Sequence, residues 1–275
     1  MLSYQHSYHA GNFADVVKHM TLCRILHYLT HKDSPIYYLE THAGRGHYSL
    51  EHSHALKTKE ADAGIQQIWQ QPALPDALST YLALVKQYNP SARLTEYPGS
   101  PALAISLLRA QDRLICCELH PTEFSHLTRL PKHNKRVFFS HSNGLDGLKS
   151  TLPPPEKRGL VFIDPSYELK NDYQNIPQLV HHAYLRFRTG VYCIWYPILA
   201  AHPHLRLIKR LQQIPTTKWL RIEFSLTQTP LAGMYGCGLW IINPPYRLAD
   251  DLADGLAALK QHLSSNTITY TLEQP

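Results

Sequence analysis

Apolar residues along this chain fall into short, nearly continuous runs and into longer segments where they recur every three or four positions. The runs lie at 36–39, 114–117, 137–139, 160–163, 190–196, 219–226 and 238–242. Each has strand length, and helical stripes lie between them. This predicts an α/β fold with an open, mainly parallel, Rossmann-like sheet of seven strands. Gly233 to Gly238 reads as a turn, so the last two runs are expected to form a final antiparallel hairpin.

Phe13, Val16, Met20, Cys23 and Leu26 form the stripe of a first helix. Asn12 is its expected N-cap, with Asp15 three residues on as an imperfect capping box, and it should end near Thr30. The interval from Gly46 to the run at 114 is far longer than one crossover helix requires. Helical patterns at 61–70 and 75–88, divided by Gln71-Pro72 and closed by Asn89-Pro90, predict an inserted helical subdomain at 52–94. Its Lys57, Lys59, Lys86 and Arg93 suit a grip on a polyanion and equally suit a solvated face. Pro98-Gly99-Ser100-Pro101 opens the delayed crossover helix, with Ser100 expected as N-cap and Pro101 at the first helical position. The expected organisation is one Rossmann-like domain over 1–275, with the insertion and a leading segment at 1–11.

The formal charge is +6, and 18 histidines make the surface more positive as pH falls below about 6.5, which favours a polyanionic partner. No apolar run approaches the ~20 residues needed to span a bilayer, and the His- and Tyr-rich N-terminus does not read as a signal peptide. A cytoplasmic protein is expected, and its five cysteines without paired spacing fit a reducing compartment. His181-His182 and His202-Pro203-His204 invite a metal reading, but no Cys pair or His-Glu helix motif accompanies them. No metal is expected.

The chemistry concentrates where runs end. The run at 160–163 stops at Asp164-Pro165-Ser166-Tyr167, which puts a carboxylate, a backbone carbonyl and a flat ring at one sheet edge, a set that suits a nucleobase amine. The first run leads through Glu40 into Gly44-Arg45-Gly46, where missing side chains let the backbone approach a ligand. Such a loop equally suits a dinucleotide, although position 49, where a third glycine is expected, is Ser. His42 is placed either to bond a ligand or to cap the loop. Glu118, ending the second crossover run, is placed to accept the ribose hydroxyls of a nucleoside cofactor, and Asn143-Gly144 follows the third.

Asp164-Pro165-Ser166-Tyr167 resembles the motif of S-adenosylmethionine-dependent amino methyltransferases: Asp, Asn or Ser, then two prolines, then an aromatic. The departure is Ser166 in place of the second Pro, which frees φ there and adds a hydroxyl and an N–H. Asn243-Pro244-Pro245-Tyr246 matches the motif better, but too little chain follows it for the elements expected after a catalytic strand, so it reads as a strand exit.

His-Ala-Gly-Asn at 9–12, Asp15, Lys18-His19, Thr41-His42-Ala43-Gly44, Tyr97-Pro98-Gly99-Ser100-Pro101, Glu118-Leu119-His120-Pro121 and Trp195-Tyr196-Pro197 extend the likeness over nearly the whole chain. Together they resemble the bacterial RlmJ family, which N6-methylates an adenine of 23S ribosomal RNA. The resemblance implies S-adenosylmethionine as cofactor, with contacts at His19, His42, Ser100, Glu118, Asn143, Gly144 and Asp164. It also implies catalytic roles for Asp164, Lys18 and Tyr167, and a substrate surface of Tyr4, His6, Pro165 and Tyr167. The family has Asp-Gly where this chain has Asn143-Gly144. A monomer acting on 23S RNA, protein-free or early in assembly, is expected. The other readings are a methyltransferase-like RNA-binding protein impaired through Ser166, and a DNA adenine methyltransferase, for which the chain lacks a separate sequence-reading domain. A dehydrogenase would leave Asp164 to Tyr167 unexplained.

Overall fold

A computed structural model describes residues 5–132, 135–228, 233–263 and 267–275. Its strands are β1 (Tyr37–Glu40), β2 (His47–Ser49), β3 (Glu96–Pro98), β4 (Arg113–Cys117), β5 (Val137–Ser140), β6 (Gly159–Ile163), β7 (Val191–Leu199), β8 (Trp219–Leu226), β9 (Met234–Ile242) and β10 (Ile268–Glu273). All but β2 and β3 form one sheet in the order β10-β8-β9-β7-β6-β1-β4-β5. The pairs from β5 through β7 are parallel; β9 runs antiparallel to both β7 and β8, and β10 antiparallel to β8.

The seven expected runs are all strands of this sheet, and the final pair is the antiparallel β8–β9. Two corrections follow. Gly238 lies inside β9, paired with Glu223 and Tyr196, so 234–238 are strand and not turn; Gly233, just before them, has φ +89°. The sheet also has an eighth strand, β10, in which Ile268, Tyr270 and Leu272 lean on the core while Thr269 and Glu273 face solvent. That alternation at period two is the strand's signal.

The helices are α1 (Phe13–Thr30), α2 (Ser53–Thr58), α3 (Ile65–Ile68), α4 (Asp76–Gln87), α5 (Ser100–Leu107), α6 (Pro121–Leu127), α7 (Gly144–Ser150), α8 (Asp172–Arg186), α9 (His204–Leu211) and α10 (Leu248–His262). The Asn12 side chain caps α1 by accepting from the Asp15 N–H. Asp15 does not reach back to Asn12; it accepts from Gly11 N–H instead, at 2.9 Å. Nearly all of α1 is buried, so it is a core helix.

The stretch at 52–94 is helical but more broken than expected. A 3₁₀ turn (Glu60–Ala63) and α3 replace one helix, because Gly64 interrupts it: a Cβ there would lie 2.1 Å from the Gly11 carbonyl oxygen. The β2–β3 ribbon brackets the stretch, and Ile65, Ile68, Trp69, Leu78 and Tyr81 share one core cluster with α1 and α10. Gly99, not Ser100, is the N-cap position of α5. Asp172 and Tyr173 begin α8, and Tyr173 is buried.

Strand direction places the chemistry. The C-terminal ends of β1, β4, β6 and β7 share one edge of the sheet, where open α/β sheets bind ligands. Asn243 follows β9, whose last residue, Ile242, pairs with Tyr192 at the start of β7. The better-matching motif therefore sits at the opposite edge. There the Asn243 side chain, at φ +53°, donates to the carbonyls of Arg188 and Gly190, and Tyr246 is 79% exposed.

Candidate active site

A cavity of about 310 Å³ opens at that edge, between the start of α1 and the ends of the central strands. Asp164, the first residue past β6, lines it with its side chain 15% exposed. Lys18, one turn and a half into α1, donates to Asp164 Oδ2 at 2.7 Å and pairs with Asp15 Oδ1 at 2.9 Å. His6, from the 3₁₀ turn His6–Tyr8, donates through Nε2 to Asp15 Oδ2 at 2.9 Å. Asp15 thus ties the leading segment to the Lys18–Asp164 pair. Burial alone would push the Asp15 carboxyl up, but the charges of His6 and Lys18 overcome it and hold the carboxyl well below the usual range. Burial would likewise lower Lys18, yet Asp15 and Asp164 together raise it well above an ordinary lysine. Lys18 is therefore a fixed ammonium, also 5.6 Å from the centroid of the Trp195 ring.

Two histidines on the same wall are neutral. Burial depresses His19 to about 3 and His42 to about 4. His19 Nδ1 is 2.8 Å from the Tyr97 hydroxyl, which meets the Tyr81 hydroxyl at 2.9 Å. Behind the wall Glu40, fully buried at the end of β1, accepts from Tyr38 at 2.9 Å and from the Ser100 hydroxyl. Burial pushes Glu40 up to about 8, despite those bonds, so it is a neutral acid near pH 7.

Glu118 extends from the end of β4 and is fixed by backbone alone: its oxygens accept from Gly44 N–H at 2.7 Å and His120 N–H at 2.6 Å. Burial raises its pKa. Gly44 has φ +60°, and a Cβ there would meet the Tyr48 hydroxyl at 2.6 Å, so the loop's first glycine is required both by backbone and by space. Nearby, Arg45 grips Glu123 through two bonds of 2.9 and 2.6 Å.

The family model described as ribosomal RNA large subunit methyltransferase D, RlmJ, matches residues 33–274. The chain belongs to the RlmJ family. It is 42% identical over 264 residues to ribosomal RNA large subunit methyltransferase J of Escherichia coli, covering 96% of this chain and 94% of that protein. The Haemophilus influenzae protein of the same name is 40% identical over 276 residues, covering 99% and 98%. Among solved structures, protein LPL1258 of Legionella pneumophila is 47% identical with a TM-score of 0.92, over 97% of this chain and 98% of that one.

Of the residues implied by the RlmJ resemblance, Lys18, His19, His42, Ser100, Glu118, Asp164, Pro165, Tyr167 and His6 all line the one cavity. Asn143 and Gly144 do not. Asn143 is exposed and caps α7 by accepting from Leu145 N–H, while Gly144 packs under the first loop, where a Cβ would lie 2.1 Å from the Thr41 carbonyl oxygen. Tyr4 lies outside the described residues. Tyr167 is at φ +53° and buried; its hydroxyl donates to the Trp195 carbonyl at 2.8 Å and its ring lies 4.6 Å from that of Tyr173. Ser166, the departure from the RlmJ motif, lines the cavity.

The sequence named Asp15, Glu40 and Tyr97 but gave none of them a role in the site. Asp15 stood there as a helix cap and within the RlmJ likeness, and the further signal available was an acid three residues before Lys18, which puts both on one helix face. Among the described residues, no cluster of histidine, cysteine and carboxylates could hold a metal. Nor is any helix among them long and apolar enough to cross a membrane.

Proposed function

We propose that this RlmJ-family methyltransferase moves a methyl group from S-adenosylmethionine to the N6 amine of an adenine in 23S ribosomal RNA, with Asp164 as the acceptor that activates the amine. The observation that carries this is the Asp15–Lys18–Asp164 cluster in one cavity with Glu118. The relatives' name supports the substrate class.

The donor set fits the cofactor. Two neutral histidines and a cluster of two carboxylates around one ammonium offer a cationic sulfonium no net repulsion. Glu118, with a lone pair left on each oxygen, suits two ribose hydroxyls. His19, His42 and Ser100 would hold the methionine part. When bound, the cofactor supplies an electrophilic methyl carbon.

Adenine's exocyclic nitrogen is a poor nucleophile because its lone pair is delocalised into the ring. Asp164 and the Pro165 carbonyl accept its two N–H groups, favour a tetrahedral nitrogen and stabilise the positive charge that grows during transfer. Lys18 donates to Asp164 Oδ2 and so aims the carboxylate, leaving its other oxygen to accept from the amine. Tyr167, pinned through its hydroxyl, offers a ring to a base that has left its helix or comes from a single strand. His6 belongs to a leading segment that lines the cavity. That segment is clasped by the insertion, because Ser7 and His54 bond at 2.9 Å and His9 and Glu60 at 2.8 Å. The enzyme acts as a cytoplasmic monomer on protein-free or early-assembly RNA.

The test is product identity. RNA treated with the protein and digested to nucleosides should yield N6-methyladenosine; a methyl on another atom or base contradicts the assignment.

A further inference from the structure

From Tyr173 to Ile222 the sequence contains no Asp or Glu, although Lys and Arg recur through it. The stretch is α8, β7, α9 and the entry to β8, and α8 and α9 pack side by side on one face of the sheet. In α9 His204, Leu207, Ile208 and Leu211 face the core. Arg206, Lys209 and Arg210, spaced i, i+3 and i+4, project from the opposite side, with Arg206 and Lys209 exposed and Arg210 half-buried. Among the described residues no carboxylate oxygen lies within 4.0 Å of a nitrogen of these three, whereas Arg24, Arg45, Arg109 and Arg221 are each ion-paired. The nearest acid in the sheet beneath, Glu223, is engaged by Arg221 at 2.8 Å and by Tyr196 at 3.0 Å. Asp172, at the start of α8, and Asp146 of α7, which packs against α8, are further carboxylates bordering the stretch.

Position gives this cationic face a use. Pro197 and Leu199 of β7 line the active-site cavity, and α9 starts just past them. The helix runs away from the cavity toward the edge where β8 begins, next to exposed Lys218. An acid-free track thus leads from the cavity rim down the flank of the molecule. A lone target base in the cavity offers few contacts, and a polynucleotide substrate needs phosphate contacts elsewhere for register.

We propose that the outer face of α9, through Arg206, Lys209 and Arg210, binds the phosphate backbone of the substrate RNA flanking the target adenine. The proposal rests on the RNA reading above. It assigns RNA affinity to this flank, where the sequence alone pointed to the lysines of the insertion.

The experiment is RNA binding and methyl transfer by Arg206→Gln/Lys209→Gln/Arg210→Gln beside wild type, across a salt series. It uses a 23S fragment with long flanks and a short hairpin carrying only the target loop. The expected result is a KM for the long fragment raised about 10-fold or more, and a salt slope of log Kobs shallower by about 2 to 3, since each duplex phosphate contact contributes about 0.9. kcat, cofactor affinity and KM for the hairpin should be unchanged, which excludes misfolding, and the charge-conserving Arg206→Lys/Lys209→Arg/Arg210→Lys should behave as wild type. An unchanged salt slope and KM on the long fragment overturn the proposal, whatever other polyanion the face then binds. A wild-type protein that methylates no RNA defeats the functional reading instead, and the binding arm still decides this one.

Discussion

At Asp164 the chemistry rests on geometry that two neighbours enforce. Lys18 is buried between two carboxylates, so removing either leaves a buried charge half-compensated. Asp15→Asn keeps the shape and removes one charge; kcat should fall about 100-fold through misplacement of Lys18 and His6, with cofactor affinity retained, as single-turnover and binding measurements would show. Glu40 gives a pH prediction. Its folded pKa is raised from 4.5 to about 8, so between those values the folded state holds a proton that the unfolded state has lost. Its contribution to stability is therefore present at low pH and is lost as pH rises toward 8. Glu40→Gln, which mimics the neutral acid, should melt progressively higher than wild type as pH rises from 6.5 to 8; a constant gap would contradict a protonated Glu40. At this scale the sequence was legible wherever a residue stood at a strand end. Asp164 and Glu118 qualify, whereas Asp15 meets His6 and Tyr97 meets His19 through the fold, and only the Asp15–Lys18 pair has a helical spacing.

Among the elements, periodicity revealed those with uniform cores. It missed β10, a half-exposed edge strand, and the β2–β3 ribbon, only three residues on each side. It also smoothed over Gly64, whose close contact with Gly11 and Asn12 depends on tertiary packing. That contact docks the leading segment, so Gly64→Ala should cost about 1–3 kcal/mol of stability and raise KM for RNA more than that for cofactor. Thermal melts and steady-state kinetics check both. The two candidate motifs separate by strand direction, which a motif match cannot supply. Asn243→Ala loses two bonds to backbone carbonyls and strains a left-handed position, so the melting temperature should drop while kcat holds.

For the molecule as a whole, the fold brings the leading segment, the start of α1 and four strand ends around one cavity, where His6, His9, Asn12, Lys18 and His19 meet Glu118 and Asp164. The positive charge that composition recorded as one number is resolved by the fold into a flank free of acids, and this could not be read without knowing that α8 and α9 are neighbours. The central claim is that the cavity methylates 23S RNA with Asp164 as acceptor. The most direct test is transfer of a labelled methyl group to protein-free 23S RNA from cells lacking this gene, beside RNA from cells possessing it and beside the Asp164→Ala protein. The account predicts incorporation only into the unmodified RNA, abolished by Asp164→Ala with the melting transition intact. Equal incorporation into both RNAs, or substantial transfer by the variant, would contradict it.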